Sequence, residues 1–389
     1  MRTGLVPRQM GSLGIREALP RSRFALPGYG HPIMCDIFRL RDDQSSGEGL
    51  PSQVIQSFKL KTSAMPAVRQ HPHFKSLTYT GLVPGPRIII TGAVHGNETC
   101  GTKAIQRVIS DIDCGTLHIA SGQVTFVPIT NPLAYANSDR VGDRNLNRNL
   151  APTTAPRDFE DHVANWLCPL LAQHEVLLDL HSTRAQNPAF AMLGPEDNDG
   201  PLQPFKHFAA ERALAKQLGV NRFVDGWLET YARGVERRVG DAARTGVTLN
   251  PLNTDSRYGV GTTEYMRSVG GYAITLECGA HDDPASPEVG YRAILNALAF
   301  LEISADRPAT PAEKYEALHM FDVIDKVHEG DRFSRAWASF NPLKRGDAIG
   351  TRDDGSVLTA PHDGFILFPD SGAKPGNEWF YLAKTVGEI

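Results

Sequence analysis

The chain has 389 residues, 41% hydrophobic and 22% charged, which excludes wholesale disorder and fibrous architecture and leaves room for roughly two to three domains. A formal net charge of −4 argues against nucleic acid or an anionic membrane as the main partner, since both call for a basic face. No apolar run approaches the roughly 18 residues of a transmembrane helix. The five cysteines, without a CxxC, exclude a disulfide framework and a zinc ribbon and point to a reducing, cytoplasmic setting.

Residues 1–34 are set apart by composition. Five arginines (Arg2, Arg8, Arg16, Arg21, Arg23) accompany a single acid, Glu17, before Met34. A transit peptide, a tag remnant around Leu5-Val6-Pro7-Arg8, or a start codon placed before the true start at Met34 all give this pattern, so the segment reads as a poorly ordered or non-native extension. Residues 35–86 look β-like and are expected to add edge strands. From Arg87 onward, continuously apolar, β-branched runs alternate with amphipathic helical patterns. The runs Arg87–Val94, Gln123–Thr130, Glu175–His181 and Tyr272–Glu277 read as strands buried on both faces. Helical periodicity covers 100–113, 158–174, 205–218 and 286–304. The alternation predicts an α/β catalytic domain over 35–308 with a mixed, largely parallel sheet, whose site lies beyond the carboxyl ends of the strands. Pro308 and Pro311 punctuate a linker. Short β-like pieces with turns at Asp353–Ser356, Pro361–Gly364, Pro369–Gly372 and Lys374–Gly376 then predict a small all-β domain over 309–389.

The polar residues that carry chemistry fall at strand ends. His95-Gly-Asn-Glu98 directly follows the first strand, and a His and a Glu three apart on one loop can face one metal. Two His and one Glu form a catalytic zinc set with an open position for water, and His181, ending the third strand, supplies the second His. The same set also suits iron or manganese. Glu277 ends the fourth strand, where an apolar environment makes a carboxylate costly without a role; a general base beside a metal-bound water suits it. Asp179 shares a strand face with His181. It reads either as the acceptor that orients a ligand imidazole or as a packed, hydrogen-bonded strand residue. Between 137 and 149 lie Arg140, Arg144 and Arg148 at four-residue spacing. They read as carboxylate and oxyanion binders, or else as a solvated basic face or phosphate patch.

Taken together, His95-x-x-Glu98, Asp143-Arg-Asn-Leu-Asn-Arg148, Asp179-Leu-His181 and Glu277 resemble the succinylglutamate desuccinylase/aspartoacylase family, a branch of the zinc carboxypeptidase superfamily. The resemblance spans roughly 85–300 closely and the C-terminal part in outline. It implies the carboxypeptidase α/β/α sandwich, with a barrel-sandwich-like C-terminal β domain over the cleft that restricts it to small substrates. It implies one Zn2+ per chain on His95, Glu98 and His181, with Glu277 as general base and Arg140 polarising the scissile carbonyl. Asn147 and Arg148 match the pair that binds a substrate carboxylate. Arg144 has no counterpart in the motif and is taken as structural. Ser182-Thr183 after His181, and Cys278-Gly279 after Glu277, depart from the pattern and leave the substrate pocket open.

Other residues divide similarly. Gly259 and Gly261 mark Arg257–Glu264 as a predicted mobile loop in which Tyr258 is a candidate for hydrogen-bonding substrate. His281 reads as a loop or cap residue, or else as a pocket residue, Cys278 as a small buried side chain, and Arg233, Arg237 and Arg238 as a solvated helix face. A GxSxG elbow and a GxxxxGK[ST] loop are absent, and no C-terminal lysine is flanked by methionines as in a lipoyl or biotinyl carrier. The sequence therefore points to a zinc amidohydrolase acting on a small N-acyl amino acid or related N-acyl amine. Its rivals are a metallocarboxypeptidase acting on short peptides and a non-catalytic small-acid-binding protein. Neither nucleic acid nor membrane is expected as a partner, and a homo-oligomer is compatible with the composition.

Overall fold

The computed structural model describes residues 73–245, 254–305, 312 and 314–388. The expectations for 1–34, most of those for 35–86, and Pro308 and Pro311 lie outside the described residues. The chain enters through β1 (Leu77–Thr80) and β2 (Val83–Gly92), then runs α1 (Cys100–Asp113), β3 (Ser121–Val127), α2 (Pro132–Asn137), α3 (Phe159–Leu171), β4 (Val176–Thr183) and β5 (Phe190–Met192). It continues through α4 (Phe208–Ala215), β6 (Arg222–Asp225), α5 (Trp227–Thr245), α6 (Thr262–Ser268), β7 (Tyr272–Ala280) and α7 (Ser286–Phe300). The four apolar runs became β2, β3, β4 and β7, and the four helical patterns became α1, α3, α4 and α7.

The physical reason is visible in β2. Ile88, Ile89 and Ile90 are all fully buried, because both faces of the sheet are covered. Ile88 and Ile90 pack with Ala104, Ile105, Val108, Ile294 and Ala297 of α1 and α7. Ile89, pointing the other way, packs with Val163, Leu167 and Leu171 of α3 and Met266 of α6. Period-two alternation thus feeds two cores, giving helix, sheet and helix layers. Strands β3, β2, β4 and β7 run parallel and adjacent. β1 pairs antiparallel to β3 at the edge, so an edge strand does come from the segment before Arg87.

The C-terminal part departs from the expected independent domain. It holds β8 (Glu316–Asp325), β9 (Arg332–Phe333), β10 (Asn341–Leu343), β11 (Ala348–Thr351), β12 (Val357–Thr359), β13 (Gly364–Leu367) and β14 (Glu378–Glu388). β8 pairs parallel to β6, so β8, β14, β13 and β10 prolong the central sheet in the order β1-β3-β2-β4-β7-β5-β6-β8-β14-β13-β10. Phe190 of β5 and Val224 of β6 share a core with Leu318, Met320, Leu367 and Tyr381. Only part of the segment has a core of its own, around Leu343, Ile349, Ile366, Trp379 and Phe380, beside the small sheet β12-β11-β9. Among the described residues no helix is long and apolar enough to cross a membrane.

Candidate active site

The carboxyl ends of β2, β4 and β7 present the site. Beyond β2 the chain turns sharply: buried Ala93 has φ 49°, a left-handed conformation that a non-glycine residue holds only where the surroundings enforce it. Gly96 then lies so close to α2 that a Cβ would stand 2.0 Å from the Ala134 carbonyl carbon, so only glycine lets His95 and Glu98 fold back over the sheet. His181 and Glu277 are register neighbours on β4 and β7.

His95, Glu98 and His181 offer ligand atoms that all lie within 4.8 Å of one another, and all three are buried. Their hydrogen bonds fix which imidazole nitrogens are bare. The Asn145 side-chain Oδ1 accepts from the Asn147 backbone amide and meets His95 Nε2 at 3.0 Å. Nε2 therefore carries the hydrogen and Nδ1 a lone pair. His95 Nδ1 lies 2.8 Å from Glu98 Oε1 yet has no hydrogen-bond partner. Burial, with Arg140 alongside, pushes the His95 pKa down to about 4, so two electron-rich atoms face each other with no proton between them. His181 Nε2 bonds Asp179 at 2.9 Å and its Nδ1 meets Glu98 Oε2 at 2.9 Å. Burial opposes its cation, but the Asp179 and Glu98 carboxylates hold its pKa well above the ordinary imidazole value. Two Nδ1 atoms converging on one carboxylate fit a divalent metal in place of the His181 proton.

Asp179 unites the two alternatives left open for it. It is fully buried, accepts from Thr91 at 2.6 Å and Thr262 at 2.5 Å, and also orients the His181 ring. Asp179→Asn is expected to weaken metal affinity about 10–100-fold, measured by competition with a chromophoric chelator. Undiminished affinity would reduce Asp179 to packing.

Glu277 is 7% exposed and, among the described residues, its Oε2 has no hydrogen-bond partner. Burial, reinforced by Glu98 and opposed by His181 and Arg140, pushes its carboxyl up to about 8. A buried carboxylate without a partner is costly and is the mark of a group kept for chemistry. Arg140 donates to Glu98 Oε1 at 2.9 Å and lines the same cavity of about 590 Å3. Asn147, Arg148 and Tyr258 line it as well. Arg148 is buried against Trp227 and Tyr231, with its carbon centre 4.8 Å and 5.4 Å from their rings. Glu378 stands 3.8 Å away.

Arg144 is tied to Asp158, Asp161 and the carbonyls of Asn145 and Arg148, a structural set of contacts. The segment around Tyr258, expected as mobile, is pinned instead. Asn149 and Leu150 donate to the carbonyls of Tyr258 and Val260, and Thr262 N donates to Asn147 Oδ1 at 2.8 Å. His281 lies in the turn after β7, at the cavity, and pairs with Ser182 at 2.9 Å, so both readings of it hold. Arg238 does not sit on a solvated face: its side chain is 9% exposed, is paired with Asp325 and lines the cavity. Cys278 is buried as expected.

Asn145, Glu264 and Arg267, which line the cavity, and Glu160, which holds the loop beside it, do not stand out in the sequence. Asn145 stood in the motif itself; the others become visible only once distant segments meet.

Residues 84–223 match the model of the succinylglutamate desuccinylase/aspartoacylase catalytic domain. A succinylglutamate desuccinylase/aspartoacylase from Rhodobacter sphaeroides superposes with TM-score 0.61 at 16% identity, covering 81% of this chain and 89% of that one. The product-bound ectoine utilization protein EutE (DoeB) from Ruegeria pomeroyi gives 0.59 at 18%, covering 81% and 93%. A succinylglutamate desuccinylase from Vibrio cholerae gives 0.59 at 17%, covering 81% and 92%. At these identities the likeness is one of fold. No protein of curated function matches the chain.

Proposed function

We propose that this chain, which belongs through its residues 84–223 to the succinylglutamate desuccinylase/aspartoacylase catalytic-domain family, is a zinc-dependent amidohydrolase that removes the acyl group from a small N-acyl amino acid or related N-acyl amine. The observation that carries the reading is the partnerless, buried Glu277 Oε2 beside the convergent His95, Glu98 and His181. A divalent metal on those three residues would supply Lewis acidity, lowering the pKa of a water to about 7 and polarising a carbonyl. Glu277, as carboxylate, takes the proton from the attacking water and returns it to the leaving nitrogen. The Arg140 guanidinium, 2.9 Å from Glu98, faces the same centre and stabilises developing oxyanion charge. Arg148 and Asn147 hold the substrate carboxylate, and Tyr258 adds a hydroxyl at the wall. The segment from Phe368 to Tyr381 forms the opposite wall of a cavity of about 590 Å3, a size that suits a small ligand. The free, buried Cys100, Cys168 and Cys278 suit a reducing cytoplasm.

The test is elemental analysis of protein purified without added metal, wild type beside His95→Ala, followed by assays on N-acyl amino acids and on di- and tripeptides. About one zinc per wild-type chain, lost in the variant, with hydrolysis of N-acyl amino acids is the expected result. Preference for peptides would replace the deacylase with a carboxypeptidase. Binding of a small acid by an inactive, metal-free protein, with no activity after zinc addition, would replace it with a binding protein.

A further inference from the structure

The cavity continues below Glu277 to a floor. Thr275 lies two residues earlier on β7 and so points the same way, with Met192 of β5 as its register partner. Leu193 and the α6 residues Thr263, Glu264 and Arg267 complete that end. The floor adjoins the carboxylate-binding pair, since α6 begins at the Thr262 amide held by Asn147.

Arg267 is the floor's cation, and its nitrogens are committed. Nε and Nη2 donate to the Glu211 carboxylate at 2.9 and 3.0 Å, and Nη2 also to the Ala273 carbonyl at 2.6 Å. Nη1 lies 3.6 Å from Glu264 Oε1. Arg267 is 5% exposed and Glu211 fully buried. Glu264 is therefore a second carboxylate on a guanidinium already neutralised by Glu211, and the floor carries one negative charge in excess. The hydroxyls of Thr263 and Thr275 and the apolar Met192 and Leu193 make up the rest. A carboxylate entering there would shed its water beside like charge; a hydroxyl, a hydrocarbon or an ammonium would not. Arg238 is likewise occupied by Asp325. Arg148 differs: it donates to the Asn147 carbonyl, and among the described residues its one carboxylate neighbour, Glu378 at 3.8 Å, is shared with Arg238 at 3.9 Å, which leaves it charge for one substrate carboxylate.

We infer that the floor receives the side chain of the substrate's amine half and selects uncharged or cationic side chains over acidic ones, with Glu264 as the specificity determinant. This rests on the deacylase reading. The substrate thus brings one carboxylate to Arg148 and no second one to the floor.

The test compares kcat/KM for N-acetylthreonine, N-acetylornithine, N-acetylaspartate and N-succinylglutamate, on wild type and Glu264→Gln. A glutamine keeps the acceptor that caps α6 at Gly261. Wild type is expected to favour the first two by about ten-fold or more, and Glu264→Gln to narrow that gap, mainly through KM. Faster turnover of the acidic substrates by wild type overturns the inference, as does a gap that Glu264→Gln leaves unchanged. If none of the four is hydrolysed, the deacylase reading fails separately. Calorimetric binding of threonine, ornithine and aspartate to the metal-loaded protein then decides the floor: weaker aspartate binding, recovered in Glu264→Gln, supports it, and aspartate binding as tight as the others overturns it.

Discussion

Glu277→Gln is expected to lower kcat about 10²–10⁴-fold while leaving metal content unchanged. The glutamine matches the carboxyl group in shape but cannot accept the proton from the attacking water. The pH dependence follows from the same group. In the proposed reaction Glu277 works as the carboxylate, so activity is expected to fall as the pH drops through its pKa, which burial raises above the ordinary carboxylate value. The acid limb of the kcat/KM profile belongs to wild type and is expected to vanish from the residual activity of Glu277→Gln. Stability provides an independent check. Glu277 Oε2 is buried without a protein partner, so removing the charge is expected to hold or raise the unfolding midpoint, the usual trade between activity and stability. A lowered midpoint together with lost metal would make Glu277 a structural residue and withdraw the base from the proposed reaction.

The parts of this architecture legible in the sequence are those whose cause is local. Ile88–Ile90 read as a doubly buried strand because nothing polar interrupts the run, and His95, Glu98, His181 and Glu277 stand out because each ends such a run. The rest depends on contacts between distant segments. The strands β5 and β6 span only Phe190–Met192 and Arg222–Asp225, too short for a periodic signal, yet β6 is what joins β8 to the central sheet. The β character of the C-terminal segment is readable from its turns, but the pairing of β8 with β6 is not, so a separate small domain is expected where the sheet continues. Arg238 sits at helical spacing with the exposed Arg233 and Arg237, and Asp325 on β8, with Glu378 on β14, draws it inward. Glu211 and Arg267 are ordinary helix residues until the Gly194 and Ala273 amides deliver their hydrogens to Glu211.

Glu160 is the strongest instance, and its removal is expected to be the most disruptive change outside the catalytic centre. In the sequence it is one of three acids at the start of a helix, as any helix N-terminus favours. In the structure it is fully buried and has no cation for a partner among the described residues. It accepts instead from the backbone amides of Gly142, Asp143 and Arg144 at 2.9, 3.1 and 3.1 Å, and from the Asn131 side chain at 2.8 Å. A Cβ on Gly142 would stand 2.6 Å from its Oε1, so the close approach requires that glycine. These bonds hold the loop that carries Arg140, Asn145, Asn147 and Arg148. Glu160→Ala strands four donors, one buried and three part-buried, and is expected to cost about 3–5 kcal/mol, read from the denaturant midpoint at unchanged slope. Glu160→Gln keeps the volume and part of the acceptor capacity. It is therefore expected to fold, with KM raised more than kcat is lowered, because the misplaced groups are mainly those that grip the substrate. Equal loss of kcat and kcat/KM in Glu160→Gln, with KM unmoved, would show that the loop serves the transition state alone. Wild-type stability in Glu160→Ala would show that water replaces the carboxylate without penalty.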